Sequence, residues 1–355
     1  MFQTFTSKLR AAAVFGAGAV GLFMAPVALA DSISPTSYSA DLAVGASTTI
    51  TKTVTISAGG PTTAVLDVMF VFDTTGSMGG AIDTAKSAAS AILTGLSGFG
   101  SLNSGVGQYD DPGHSIVAPL SGNGAATQAG INSLFACFGS CGGDFPEVGF
   151  AGIREAANSA WRAGSARYIV AFGDATFKNG PDALDNEAGT AAALAANGVS
   201  LIGLEYGSMG GNITALGGTV FAGSSDPADV VAAILAGVST GFASYNTVTV
   251  GDLGAGLPEI GVTAVCTGAD IGTCSGDTAT GAYDRSVDRT FTFDVTFTRL
   301  ADGATTFDTH ALVDRKIVAS ERDTFGGAAD VPAPATLVLL GAGLAGLGIA
   351  RRRAA

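Results

Sequence analysis

One carboxylate and two hydroxyl groups stand at alternate positions of the chain, at Asp73, Thr75 and Ser77. A tight loop can bring side chains at positions i, i+2 and i+4 to one point. Their hard oxygen atoms suit Mg²⁺ or Ca²⁺ better than zinc, and so few charged ligands would leave positions for water or a partner's carboxylate. Taken alone, the same string is equally typical of a helix N-cap in a serine-rich turn.

A second carboxylate, Asp174, occupies an equivalent place further along the chain. The apolar run 64–72 ends at Asp73, and the run 166–172 is followed closely by Asp174. Short, nearly continuous apolar runs are typical of strands that are buried on both faces of a mostly parallel sheet. Because such sheets bind ligands at the carboxyl ends of their strands, we expect the two aspartates to lie at one edge.

Strands and helices alternate through residues 63–242, which predicts a doubly wound α/β unit with a mostly parallel sheet. Besides the two apolar runs, the predicted strands are 104–109, 199–206 and 219–222. Apolar residues recur at helical spacing in the predicted helices 81–96, 125–135, 148–163, 183–196 and 227–238.

β-branched and alternating segments flank this unit on both sides. One is 48–56, and those that follow the unit are 246–250, 261–266, 290–298 and 312–320. The first flank has too few strands to be stable alone. We therefore predict that residues 31–62 and 243–325 form one β-sandwich into which the α/β unit is inserted. Two separate small β pieces are the alternative.

Over about residues 64–240 the chain resembles the von Willebrand factor A (VWA) family. The metal-ion-dependent adhesion site of that family has the pattern Asp-x-Ser/Thr-x-Ser after the first strand, which Asp73, Thr75 and Ser77 match. A later loop of the family supplies an aspartate, which Asp174 matches. The resemblance implies a VWA-type fold and a metal site whose shell is completed by a partner's carboxylate.

The segment 143–150 is similar to the Asp-x-Pro-Glu-x-x-Phe segment of integrin β I-like domains. In that branch the glutamate joins the metal site, so the resemblance implies Glu147 as a further ligand. It also implies a second, flanking metal site at Asp111 and Asp144. The other flanking site of the branch is not expected, because residues 79–81 are not acidic.

Both ends of the chain are typical of targeting segments. Residues 1–30 combine basic residues, an apolar run and a small-residue ending, which predicts a signal peptide. Residues 331–355 contain an uncharged run long enough to cross a bilayer, followed by three arginines. This tail resembles the PEP-CTERM sorting signal, with Ala333 in place of its central glutamate, and an ordinary stop-transfer anchor is the alternative. We expect an exported protein at the cell surface or outside the cell, anchored transiently or permanently by this transmembrane segment.

The four cysteines fall into two pairs that are close in sequence. These pairs are Cys137 with Cys141 and Cys266 with Cys274. In an exported protein such spacing predicts two local disulfides. Zinc binding is the alternative, but the histidines that it would need, His114 and His310, lie far away in sequence.

The formal net charge of −13 disfavours nucleic acid and anionic membrane surfaces as partners, although a solvated exterior alone would also account for it. No nucleophile-elbow or phosphate-loop pattern is present, so we do not expect an enzyme. The expected function is metal-dependent adhesion or binding, in which Mg²⁺ (or Ca²⁺ or Mn²⁺) recognises a protein or other acidic ligand at the cell exterior. The alternative is a structural envelope or matrix component in which the metal only stabilises the fold.

Overall fold

The computed structural model describes residues 30–137 and 145–327, and the strands in these ranges form three sheets. The strands are β1 (Ser32–Ser34), β2 (Ser37–Leu42), β3 (Ser47–Ile56), β4 (Ala64–Asp73), β5 (Gly100–Tyr109), β6 (His114–Ser121), β7 (Ala166–Gly173), β8 (Val199–Glu205), β9 (Thr219–Ala222), β10 (Ser244–Gly251), β11 (Ile260–Ala269), β12 (Thr273–Ser275), β13 (Thr278–Asp284), β14 (Arg289–Arg299), β15 (Thr305–Val313) and β16 (Lys316–Gly327). The α-helices are α1 (Gly79–Ser97), α2 (Gly124–Ser133), α3 (Gly149–Ala157), α4 (Glu187–Asn197), α5 (Gly210–Ala215) and α6 (Pro227–Thr240).

The central sheet has the strand order β6-β5-β4-β7-β8-β9, and β6 is its antiparallel edge strand. Successive residues of β4 point to opposite faces of this sheet. Phe70 and Phe72 pack in a core with α1, α2 and α6, whereas Met69 and Val71 pack in a second core with α3, α4 and α5. Burial on both faces explains the continuous apolar run of β4 and confirms the predicted doubly wound α/β fold class.

The other two sheets have the orders β1-β3-β14-β11 and β12-β13-β10-β15-β16-β2. β3 pairs with β14 in antiparallel register, from Ser47 opposite Thr298 to Ile56 opposite Arg289. Alternate residues of β14 enter one core that both sheets share. Because β3 precedes the α/β unit and β14 follows it, this pairing confirms that the unit is inserted into a β-sandwich.

The α/β unit meets the sandwich at the edge of its sheet opposite Asp73. β4 begins with Ala64 at the edge that meets the sandwich and ends with Asp73 at the opposite edge. Across the junction, the main-chain N–H of Ile317 donates to the carbonyl oxygen of Gly164, with an N···O distance of 2.7 Å. Residues just past the end of β4 are therefore held away from the sandwich.

Several elements differ from the sequence-based prediction. β5 begins at Gly100, whereas the predicted strand began at residue 104. It pairs with β6, and no strand was predicted over the residues of β6. α3 ends at Ala157 rather than at residue 163, because Arg162 turns back to Asp67. The main-chain N–H and the Nε of Arg162 donate to the two carboxylate oxygens of Asp67, at 2.7 and 2.6 Å. α5 is a helix of six residues, too short to show a periodic pattern.

The cysteines of the sandwich pair as predicted. Cys266 and Cys274 form a disulfide with a Cα–Cα distance of 5.3 Å. The bridge joins β11 to β12, which belong to different sheets. The other predicted pair, Cys137 with Cys141, includes a residue that lies outside the described ranges.

The predicted targeting segments also lie almost wholly outside the described ranges. They are the signal peptide, residues 1–30, and the C-terminal segment, residues 331–355, so the structure does not bear on either prediction. Among residues 30–137 and 145–327, no helix has both the length and the apolar character needed to span a membrane.

Candidate metal centre

The carboxyl ends of three neighbouring strands bring the main candidate residues together. Asp73 ends β4 and pairs in register with Tyr109, the last residue of β5. On the other side, Phe172 of β7 pairs with the residue just before Asp73, so Asp174 follows the end of β7 on the adjacent strand. The parallel register therefore places both predicted aspartates at one edge of the sheet, as expected from sequence.

The loop after β4 orders the first group of candidate ligands. Asp73 is fully buried, and its Oδ1 accepts hydrogen bonds from the main-chain N–H (2.9 Å) and the hydroxyl (2.7 Å) of Thr75. A short 3-10 turn over Gly76–Met78 then leads into α1. This turn buries Met78 and leaves the Ser77 side chain exposed at the surface. The loop thus runs from a buried carboxylate to an exposed hydroxyl.

Two carboxylate oxygens at this edge are buried without a hydrogen-bond partner among the described residues. They are Oδ2 of Asp73 and Oδ1 of Asp174. Burial raises the pKa of Asp73 to about 6. Hydrogen bonds from Thr75 and from the main chain of Asp174 oppose this rise in pKa, and the charge of Asp174 adds to it. Burying such oxygens without a partner is costly, and a divalent cation would satisfy both of them. The residues present therefore fit a hard cation.

Glu147 lies beside the loop that carries Asp174. Its main-chain N–H donates to the Thr176 carbonyl oxygen (2.8 Å), and its own carbonyl oxygen accepts from Lys178 N–H (2.7 Å). The residue is only 3% exposed. The structure thus holds Glu147 close to the carboxyl end of β7, where the integrin-like resemblance implies a ligand.

The residues predicted for a second metal site are only partly described. Asp111 forms an ion pair with Lys178, whose ammonium group contacts Oδ2 of the carboxylate. A cation bound by Asp111 would have to compete with this ammonium group. Asp144 lies outside the described ranges, so the second site stays a prediction.

Tyr109 is a residue of this centre that sequence reasoning did not single out. It is fully buried, and its hydroxyl has no hydrogen-bond partner in the described part of the chain. Burial raises its pKa well above the usual value, and the charges of Asp73, Asp174 and Glu147 raise it further. The hydroxyl therefore lies within electrostatic reach of all three carboxylates. The sequence feature that could have pointed to Tyr109 is its position as the last residue of the predicted strand 104–109, because ligands bind at the ends of such strands.

A glycine makes room for this tyrosine. A Cβ atom added to Gly173 would lie 2.6 Å from the Tyr109 hydroxyl oxygen and 3.0 Å from the sulfur of Met209. Only a residue without a side chain fits there, because these contacts are shorter than van der Waals contact.

Carboxylate groups make up only part of the donor set at this edge. Within residues 30–137 and 145–327, no group of three or more His, Cys, Asp or Glu side chains is arranged to bind a metal ion. A cation at this edge would consequently depend on hydroxyl and water oxygens as well as on carboxylates, which is the donor set that Thr75 and Ser77 offer. The same ranges contain no cluster of cysteine and histidine side chains that would hold zinc.

Many solved structures are similar to this chain, and two of them illustrate the likeness. The chain is similar to a protein described as von Willebrand factor type A from Catenulispora acidiphila, at 13% sequence identity and a TM-score of 0.43, over 87% of this chain and 76% of that one. It is also similar to the conserved hypothetical protein BatB from Bacteroides thetaiotaomicron, at 15% identity and a TM-score of 0.40, over 49% of this chain and 98% of that one. No curated protein matches the sequence.

Residues 330–353 match the PEP-CTERM protein-sorting motif. This match confirms the resemblance of the tail and covers its apolar run and its three arginines. The motif indicates an exported protein with a C-terminal sorting signal.

Proposed function

We propose that this protein is a non-enzymatic, cation-dependent binding protein, displayed at the cell surface or outside the cell, that recognises a carboxylate-bearing partner. One observation carries the proposal. Two buried carboxylate oxygens, of Asp73 and Asp174, have no hydrogen-bond partner among residues 30–137 and 145–327, at the edge of the sheet where the hydroxyl of Ser77 is exposed.

The donor set supports a cation with open coordination positions. Asp73, Thr75, Ser77 and Asp174 are the residues that would hold it directly, and Glu147 would reach it through a water molecule. Mg²⁺ commonly keeps several waters when it is bound by one or two carboxylates. A bound divalent cation would supply positive charge at the protein surface, and a carboxylate of the partner could then replace one of its waters.

The surroundings of Ser77 support binding rather than catalysis. A serine nucleophile requires a neighbouring base. His114 is hydrogen-bonded to Glu155 (2.7 Å), and His310 is hydrogen-bonded to Ser320 (2.8 Å) in the sandwich. Both histidines of the chain are thus engaged with other side chains.

The proposal is tested with acetate as a minimal carboxylate probe and Mn²⁺ as a paramagnetic cation. If a coordination position is open, acetate protons should relax faster with the Mn²⁺-loaded protein than with the same Mn²⁺ and the Asp73→Ala variant. Asp83→Ala is the matched control, since the Asp83 side chain is exposed and forms an ion pair with Lys86. Chelation with EDTA should abolish the effect.

The structural alternative predicts a different outcome. A cation that only stabilises the fold would raise the melting temperature of the protein without accelerating acetate relaxation. That pair of results would replace the binding function by the structural one.

A further inference from the structure

Three charged side chains are completely buried in the core of the β-sandwich. Lys52 lies on β3 of one sheet, and Glu321 and Asp323 lie on β16 of the other. Charged residues are almost never fully buried unless they are paired. This cluster, here called the Lys52 cluster, lies far from the candidate metal centre in the fold, because the sandwich meets the α/β unit at the opposite edge.

The Lys52 amine is placed between the two carboxyl groups. Its Nζ contacts Oε1 of Glu321 and lies 3.4 Å from Oδ1 of Asp323. Asp323 is held in place by the hydroxyl of Thr309, which donates to its Oδ2. Neither oxygen of Glu321 accepts a hydrogen bond of normal geometry from a described residue. Glu321 is therefore the carboxyl group that is in contact with the amine without being held by other donors.

Aromatic rings pack beside the cluster, whose charged side chains have no solvent exposure. The Lys52 Nζ lies 5.2 Å from the centre of the Phe297 ring. Phe325, two residues after Asp323 on the same face of β16, stacks with Phe307 and lies tilted against Phe297. In such surroundings the charged forms of an amine and of a carboxyl group are both disfavoured.

The protonation states agree with this environment. Burial lowers the pKa of Lys52, against the opposing effect of Asp323. Burial raises the pKa of Asp323, against the hydrogen bonds from Thr309 and Lys52. Both shifts favour a neutral amine, which is nucleophilic, next to a protonated carboxyl group, which can donate a proton.

We propose that Lys52 and Glu321 condense within the folded protein to form an intramolecular amide bond, with Asp323 as the proton carrier. The Lys52 Nζ attacks Cδ of Glu321, and the Nζ–Cδ bond forms. Asp323 takes a proton from the nitrogen and delivers one to the hydroxyl oxygen of the Glu321 carboxyl group, which reacts in its protonated form, so that the Cδ–Oε bond breaks and one water molecule leaves. The reaction is neither an oxidation nor a reduction, and it needs no further reactant.

The product removes an unfavourable feature of the core. An amine and a carboxyl group that would each be costly to bury as ions become one neutral amide. Because the surroundings are apolar, water has little access to hydrolyse that amide. The folded sandwich also holds the reacting groups in contact, which supplies the high effective concentration that such a condensation requires.

The bond would connect the two flanks of the inserted unit. Lys52 precedes the α/β unit, and Glu321 lies on the last strand before the sorting motif at 330–353. A load applied between the α/β unit and the C-terminal segment would then pass through a covalent link from β3 to β16. The strands between 243 and 320 would not carry that load.

Peptide mass spectrometry of the full chain after reduction, alkylation and trypsin digestion tests the proposal. Trypsin does not cleave after an acylated lysine, so the expected product is a branched peptide in which 317–322 is attached through Glu321 to an uncleaved peptide containing Lys52. Its mass is that of the two peptides minus one water. Lys86, a partly exposed lysine of α1, is the internal control and should be cleaved normally.

Lys52→Arg keeps the positive charge but supplies no amine, and it should give separate peptides. Asp323→Ala keeps both reacting groups, and the branched fraction should fall at least tenfold. A folded wild-type protein whose Lys52 is cleaved and whose 317–322 peptide is unbranched would overturn the proposal. A branch through Asp323, or undiminished branching in Asp323→Ala, would overturn the roles assigned to the two carboxyl groups. None of these results depends on cation binding, so they are independent of the proposed function.

Discussion

At the residue scale, Asp73 determines whether the candidate centre can hold a cation. Its Oδ1 accepts hydrogen bonds from Thr75, and its Oδ2 is buried with no hydrogen-bond partner of normal geometry among the described residues. Asp73→Asn keeps the shape of the side chain but removes its charge. We expect this change to weaken Mg²⁺ binding by more than about tenfold, measured by isothermal titration calorimetry. Asp83→Asn, an exposed change of the same kind, should leave the affinity unaltered; equal affinities in both variants would exclude Asp73 as a ligand.

The same residue predicts how cation binding depends on pH. The folded protein raises the Asp73 pKa from 3.8 to about 6, so it holds this proton more tightly than the unfolded chain does. As the pH rises from about 4 to about 6, the cation-free protein should therefore lose stability, on the order of 1–3 kcal/mol. Conversely, Mg²⁺ affinity should fall as the pH is lowered through about 6, because the proton competes with the cation.

Titrations with Mg²⁺ at several pH values test this dependence, and urea denaturation in EDTA tests its effect on stability. In Asp73→Asn, which does not titrate at this position, the stability change between about pH 4 and about pH 6 should be smaller. A wild-type affinity that stays constant across this range would show that Asp73 does not bind the cation.

At the scale of elements, the loop after β8 supports the loop that carries Asp174. A Cβ atom at Gly207 would lie 2.1 Å from the Asp174 carbonyl oxygen, which also accepts a hydrogen bond from Ser208 N–H (2.8 Å). Gly207→Ala should consequently push the two loops apart. We expect a loss of about 1–3 kcal/mol in the free energy of unfolding and weaker Mg²⁺ binding.

Gly211→Ala is the matched control for this substitution. Gly211 lies in α5, and a Cβ atom there would meet nothing within 4 Å. Alanine also favours the helical conformation by up to about 1 kcal/mol, so stability should be kept or increased. Urea denaturation and calorimetry of both variants make the comparison, and equal behaviour would show that the two loops can separate without consequence for Asp174.

At the scale of the whole molecule, the two units should differ in their ability to fold alone. The α/β unit contains both of its cores within residues 63–242, with helices on each face of its sheet. We expect the isolated fragment 63–242 to fold and to retain Mg²⁺ binding. The fragment 243–327 lacks β3, which pairs with β14 along ten residue pairs. Without this partner the phenylalanines of β14 lose their neighbours, so the fragment should stay unfolded.

Circular dichroism and limited proteolysis of the two fragments provide the measurement. A cooperative thermal transition in 243–327 alone would contradict the view that the sandwich is one folding unit built from both ends of the chain. Failure of 63–242 to fold would show instead that the α/β unit depends on its contacts with the sandwich, such as the one between Ile317 and Gly164.

Much of this architecture was predictable, because it depends on local patterns. Burial of β4 on both faces requires a continuous apolar run, and the change from that run to Asp73 marks the carboxyl end of the strand. The alternation along β3 and the shortness of the first flank were enough to predict its pairing with a strand after residue 243. The disulfide between Cys266 and Cys274 was predictable because the two cysteines are separated by only 8 positions in the sequence.

What only the tertiary structure decided are the contacts between residues that are distant in sequence. The Tyr109 hydroxyl faces the carboxylates because β5 pairs with β4 in one particular register. Lys178 reaches Asp111 across 67 positions, and Lys52 meets Asp323 across 271. These contacts depend on which strands are neighbours in a sheet and on the register in which each pair of strands is aligned. A periodic pattern tells which face of a strand is buried, but it does not tell which side chain of another strand lies opposite.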